Sequence, residues 1–396
     1  MFRKKDGLDL IIRDGRLTAN GTTLGGDNGV AVALMLMVLD DDEIEHPPVE
    51  CVFTTEEEVG LNGAKALDKS VLKARTMINM DSEDEGVATV SCAGGLRVQF
   101  TKEIQRTTVQ GSLLTLKVEG LLGGHSGQDI DKERQNADLL MARMIQRLLK
   151  ETKGQLVSFN GGTKDNAIPR ECEASLIYES DEEAAKAEEL ACELAETYAE
   201  ELTPAEPDFS CEISCETNRT AEAIPQDAAK EFICAMRLAP NGIQKRNIKM
   251  DGFVVVSLNL GVVRTEEDRI VMIFSPRSSV ASLQEDTKER LNTLAETFGF
   301  TVSHSSEYPG WSFKEDSPVR EICKESYKEL FGEDLKIEAI HAGLECGLFS
   351  DAIKGLDAIA IGPTIANCHT PDEYLTLDSF ERFYEFLKDI LSRLAK

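Results

Sequence analysis

Glu56-Glu57-Glu58 is the feature that most narrows the fold, because three adjacent carboxylates follow directly on a strand-like run at 49–54. A helix-like segment, 62–73, comes after them. In a chain that alternates strands and helices, the loop after a strand's carboxyl end is where a ligand site sits. Alone, the three glutamates would read as a solvated charge run, since like charges repel unless they face water or a positive partner. Their surroundings favour a site. A glycine-rich turn, Gly25-Gly-Asp-Asn-Gly29, precedes the apolar helix 30–39, and the short buried strand 76–80 ends at Asp81. Far downstream, the buried strand 358–363 leads to Asn367-Cys-His-Thr-Pro371. If these strands are neighbours in one parallel sheet, Asp27, Glu57, Glu58, Asp81 and His369 converge at one edge. Carboxylates with a histidine suit a catalytic zinc or similar divalent ion.

The rest of the chain sets the frame. A length of 396 residues implies two or three domains, and 41% apolar with 29% charged residues is ordinary for a soluble globular protein. A formal net charge of −28 argues against nucleic acid or an anionic membrane as partner. The ten cysteines lack framework-like spacing, which fits a reducing cytoplasm. Neither a transmembrane run nor a signal peptide is legible at the sequence level.

Along the chain, 8–12 reads as a strand and 14–20 as a loop, followed by turn, helix, strand, helix and strand up to Met80. After Gly94-Gly95 the character changes. Strands are expected at 96–103, 113–121, 155–159, 172–178, 209–216, 253–263, 269–274 and 300–305, and helices at 133–149, 181–202, 226–236 and 282–298. Ser180 and Glu183 form a capping pattern for the acidic helix 181–202. This pattern predicts an antiparallel sheet covered by helices, as a separate insert. Past Tyr308-Pro-Gly-Trp311 the strand–helix alternation returns, with helices at 317–331 and 379–394 and strands at 335–339 and 357–361. The expected division is a discontinuous domain, 1–94 plus 307–396, and an inserted domain, 95–306.

Five motifs carry a resemblance over nearly the whole chain: Gly21-Thr-Thr-Leu-Gly-Gly-Asp-Asn-Gly29, Thr55-Glu-Glu-Glu-Val-Gly60, Asn79-Met-Asp-Ser-Glu-Asp-Glu-Gly86, Gly123-Gly-His-Ser-Gly127 and His341-Ala-Gly-Leu-Glu-Cys-Gly347. In this order they resemble the aminoacyl-histidine dipeptidases, also called peptidase D or carnosinase-like enzymes, a branch of the co-catalytic di-zinc exopeptidases. The resemblance implies an α/β fold: a parallel-type three-layer catalytic domain with an inserted α+β lid, through which the family can form homodimers. It implies zinc, two ions per subunit, with manganese or cobalt as substitutes, and a small peptide as substrate. Asp27 would bridge the metals; capping the following helix is the other use of an aspartate there. Glu57 would be the general base and Glu58 a ligand, because adjacent residues leaving a strand diverge, so one can bind metal while the other moves a proton. Asp81 would bind the second metal and His369 the first. On the lid, His125 would stabilise the carbonyl's developing charge, while Asn166 and Arg277 bind substrate, the arginine fork pairing a terminal carboxylate. Gly343 and Glu345 would line the pocket, and His46 and His304 read as structural.

Relatives of this type carry a His-x-Asp motif, and none of the five histidines, at 46, 125, 304, 341 and 369, has an aspartate two residues on. The expectation is that the chain starts just after that motif's place. The second metal would then keep only Asp27 and Asp81 and the first would hold more tightly. Dipeptide hydrolysis, of Xaa-His or unspecific dipeptides, is the reading this supports. Its rivals are a related exopeptidase or deacylase with the same site, and an inactive homologue.

Overall fold

The computed structural model describes residues 7–248 and 252–396. The chain divides into two compact units, one built from Met1–Cys92 with Pro309–Lys396, the other from Ala93–Tyr308.

The first unit contains a four-stranded sheet in the order Lys336–Ile340, Val87–Cys92, Asp357–Ala360, Thr76–Asn79. The two outer pairs are parallel, and the central seam, where Ala360 faces Thr89, is antiparallel. The sheet is thus mixed, whereas the sequence suggested one parallel sheet. Asp357–Ala360 is buried along its whole length, as a strand with neighbours on both sides requires. The helix Leu377–Leu394 buries Phe383, Phe386, Leu387, Ile390 and Leu391, a spacing that follows the helical period. The helix Pro318–Phe331 packs on it edge-to-face through Tyr327 and Phe331. Its start is fixed by Ser317, which accepts from the N–H of Arg320, and by proline at the first turn.

A second, antiparallel sheet joins Leu10–Arg13, Arg16–Ala19, Tyr374–Thr376 and Ile365–Ala366. Here the expected loop 14–20 is a hairpin. Asp14-Gly15 takes left-handed backbone at both positions (φ 50° and 73°), the geometry that lets two residues reverse a twisted strand pair.

Two further expectations fail nearby. Residues 49–54 run outside every ladder among the described residues. Both they and the sheet's outer strand, Thr76–Asn79, border a cavity of about 470 Å³, through Val52, Phe53 and Thr54 on the one segment and Thr76–Asn79 on the other. Ladder bonding needs strands roughly 4.8 Å apart. The helix expected at 62–73 is a single turn, Asn62–Ala66, and a 3-10 turn, Lys69–Val71. Asp68 accepts from the N–H and hydroxyl of Ser70, a local bond that competes with helix continuation.

The second unit is built on a nine-stranded sheet in which every pairing among the described residues is antiparallel. On the strand Thr107–Glu119, Leu114, Leu116 and Val118 are buried and the residues between them are not, the period of two that places one face on a core. Met141, Met144, Ile145 and Leu148 of the helix Ala137–Glu151 meet that core at helical spacing. Burying each such side chain contributes about 1.5–3 kcal/mol. This helix starts at Ala137, four residues later than the sequence suggests, capped by Asn136, whose side chain accepts from the N–H groups of Asp138 and Leu139.

Candidate active site

Asp27 is held by the turn it sits in. Gly25 adopts left-handed backbone (φ 69°), and a Cβ at Gly26 would lie 3.2 Å from Glu373 Oε1. The helix Gly26–Asp40 becomes regular only after Asn28, and the Asp27–Asn28 peptide is cis. Asn28, not Asp27, caps the helix. Its Oδ1 accepts from the N–H of Ala31 at 2.9 Å. Its Nδ2 donates to the Met80 carbonyl at 2.9 Å and to Asp81 Oδ1 at 2.6 Å, tying the turn to the end of the strand Thr76–Asn79. Asp27 is thereby left free to act elsewhere.

The glutamate loop is shaped by its own backbone. The N–H groups of Gly60 and Leu61 both donate to the Glu57 carbonyl, and the N–H of Gly63 donates to the Thr55 carbonyl. Within it the three glutamates diverge. Glu56, with positive φ, turns to the surface, where Asn62 Nδ2 donates to it at 3.1 Å. Glu58 reaches out to His369, with Oε1 2.6 Å from Nε2. Glu57 is half-buried and lines the cavity with Asn28, Asp81 and Glu345. Burial, then the charges of Asp81, Glu58, Glu345 and Asp27, push its carboxyl up to about 7.

His369 adopts positive φ (65°) in the loop that joins the paired strands Ile365–Ala366 and Tyr374–Thr376, and its Nε2 lies 3.0 Å from Asp27 Oδ2. Burial works against its protonation, but the bond to Asp27 and the charge of Glu58 outweigh it and raise its pKa. Ligand atoms of Asp27, Glu58 and His369 all lie within 4.8 Å of one another. Two carboxylate oxygens and one imidazole nitrogen at that spacing fit a divalent ion with open positions. Asp81 is mostly buried against Asn28 and Asp27; desolvation and the Asp27 charge raise its pKa, and burial does the same to Asp27. Glu345 opens the helix Glu345–Ala352 and accepts from Thr54 Oγ1 at 2.7 Å, while Gly343 lies two residues before that helix.

His125, Asn166 and Arg277 belong to the second unit. The short strands Gly124–His125 and Ala167–Ile168 pair, and the Asn166 carbonyl accepts from the N–H of Ser126. His125 Nδ1 accepts from the N–H groups of Gly127 (3.2 Å) and Gln128 (3.1 Å), so the neutral ring carries its proton on Nε2. Burial and the Arg277 charge lower its pKa, keeping the ring neutral. Arg277 is itself buried: Nη1 donates to the Tyr308 hydroxyl at 3.0 Å, and its Nε–H has no partner among the described residues.

The sequence reading passed over four residues here. Asn28 was legible in principle as an asparagine opening an apolar helix. Glu83 and Cys368 also bring ligand atoms within 4.8 Å of the Asp27 carboxylate and of each other. Glu373 accepts from the N–H groups of Gly25, Gly26 and Asp27. In sequence these three look like ordinary acids and a thiol in polar loops.

The chain is similar to known proteins. The cytosol non-specific dipeptidase of Escherichia coli K12 is 34% identical over 396 residues, which cover 98% of this chain and 80% of that protein. The crystal structure of an aminoacylhistidine dipeptidase from Vibrio alginolyticus superposes with a TM-score of 0.94 at 34% identity, covering 99% of this chain and 80% of that one. An aminopeptidase PepT from Bacillus cereus, at 16% identity and a TM-score of 0.52, shares the fold. The family profile for peptidase family M20/M25/M40 matches residues 3–393. With that match running through both units and every motif of the site, the chain belongs to peptidase family M20/M25/M40.

Proposed function

We propose that the protein is a metal-dependent dipeptidase whose ion is held by Asp27, Glu58 and His369. One observation carries this reading: the convergence of those three side chains from distant parts of the chain onto a common point, with Glu57 beside it but not in it. The names and similarity of the Escherichia coli and Vibrio proteins support the dipeptide as substrate, and the former supports a cytoplasmic location. Among the described residues, no helix is long and apolar enough to cross a membrane. When bound, the ion supplies Lewis acidity to the attacking water and the scissile carbonyl. Zinc suits the mixed oxygen and nitrogen donors, with manganese or cobalt as substitutes. Asp81 extends the same carboxylate cluster toward a second ion.

Glu57 takes the proton from the attacking water and returns it to the leaving amine. Its partial burial favours the protonated form, which helps it take up the proton that it then hands on. His125, neutral with its proton on Nε2, donates to the oxygen on which charge develops. Arg277 pairs the substrate's terminal carboxylate, Asn166 orients the peptide, and Glu345 with Gly343 receives the amino end. These substrate roles rest on the motif resemblance. The lid unit is also the proposed surface for a homodimer.

The test is a panel of Xaa-His and other dipeptides, with tripeptides and N-acyl amino acids, assayed on metal-stripped protein after adding zinc, manganese or cobalt. Metal-dependent release of free amino acids from dipeptides is expected. Turnover confined to N-acyl amino acids would replace the reading with a deacylase.

A further inference from the structure

Glu373 is 1% exposed, an unusual place for a carboxylate unless every lone pair is engaged. Here the donors are supplied by the turn that carries Asp27. Oε1 accepts from the N–H groups of Gly26 at 2.7 Å and Asp27 at 3.3 Å. Oε2 accepts from the N–H of Gly25 at 3.0 Å and from the Thr23 hydroxyl. With two donors on each oxygen, this carboxylate has no capacity left for an ion or a substrate. Its place in the chain matters as much. Glu373 stands four residues after His369, at the end of a short loop tied internally by Thr370 N–H to the Asn367 carbonyl and Glu373 N–H to the Thr370 carbonyl.

We propose that Glu373 is a positioning residue that sets the distance between Asp27 and His369. The two ligands come from segments 342 residues apart, and Nε2 to Oδ2 at 3.0 Å is the separation to be held. By gripping three consecutive N–H groups of one segment from the loop that bears the other, Glu373 fixes both ends of that separation. Gly26 is part of the same clamp, since a Cβ there would press on Oε1 at 3.2 Å and on Leu24 at 3.3 Å. The inference rests on the reading of Asp27 and His369 as metal ligands.

The experiment is titration of metal-stripped full-length protein with Zn²⁺ by calorimetry and with Co²⁺ by visible absorption. The proteins compared are wild type, Glu373→Gln, Gly26→Ala and, as reference, Asp27→Asn, each with a thermal melt of the metal-free form. Glutamine keeps the shape but turns a donor toward N–H groups that need an acceptor. Zinc affinity is expected to fall roughly 10- to 100-fold in Glu373→Gln, with an altered Co²⁺ band, while the metal-free melt, lowered by the misplaced donor, still shows a folded protein at the titration temperature. Gly26→Ala should move in the same direction with the carboxylate retained. Wild-type affinity and an unchanged Co²⁺ spectrum in Glu373→Gln, beside a weakened Asp27→Asn, would overturn the inference alone. If Glu373→Gln does not fold, an unchanged Gly26→Ala would overturn it. No metal uptake by wild type, or no loss in Asp27→Asn, would overturn the ligand reading and this inference with it.

Discussion

Glu57 and Glu58 are chemically identical neighbours that the backbone sends in different directions. Glu58 ends against His369, and Glu57 turns into the cavity beside Asp81 and Glu345. Adjacency made that divergence legible in the sequence. What could not be read was Glu373, because its meaning lies in backbone groups 346 to 348 residues away. Nor could the sequence show that Arg277 is buried against Tyr308, since nothing around Arg277-Ser-Ser279 distinguishes it from a surface arginine. At this scale His125 gives a direct prediction. Its two backbone donors at Nδ1 leave the neutral ring's proton on Nε2, so under the proposed role His125→Ala takes away a preorganised donor to the developing oxyanion. Steady-state kinetics should show kcat lowered about 10²–10³-fold with a smaller change in KM. An unchanged kcat would make this histidine structural.

Elements were most legible where local signals agreed with tertiary demand. The acidic helix Asp181–Leu202, opened by Ser180 accepting from the N–H of Glu183, and the strand Cys172–Tyr178 fall where the pattern places them. Val87–Cys92 was missed because a run of small residues, Val-Ala-Thr-Val-Ser-Cys, has no alternation although both its faces are covered. Residues 49–54 failed in the opposite way: the pattern of a strand is present, but the segment borders a cavity and joins no ladder among the described residues. The loop that follows is braced by the short helix Asn62–Ala66. There Gly63 has no room for a side chain, since a Cβ would lie 2.3 Å from the Thr55 carbonyl oxygen and 2.5 Å from its nitrogen. Gly63→Ala must therefore displace the loop bearing Glu57 and Glu58. The expected result is a lowered melting temperature together with weaker zinc binding, by roughly 1–3 kcal/mol of stability. Wild-type values for both would show that the loop relaxes without moving the glutamates.

For the whole molecule, the net charge of −28 is spread mostly over exposed acids, while a few buried acids set how folding responds to pH. Asp138 is the clearest case. Complete burial pushes its carboxyl up to about 8, softened by the Cys172 thiol and the Arg264 charge. The unfolded value is about 3.9, so the folded state keeps a proton that the unfolded chain releases. Its contribution to stability is full below about pH 4 and is lost as pH rises toward 8, at up to roughly 1.4 kcal/mol per pH unit. Asp138→Asn should flatten that slope, so denaturant midpoints at pH 5 and pH 8 should differ less in the variant than in wild type. Parallel slopes would contradict the assignment. The account's central claim is that one pair of adjacent glutamates divides metal binding from proton transfer. Metal content and dipeptide turnover of Glu57→Gln, measured on the same preparation, test it most directly. The account predicts wild-type metal content with most of kcat lost; a variant that sheds its metal, or that keeps its turnover, would contradict it.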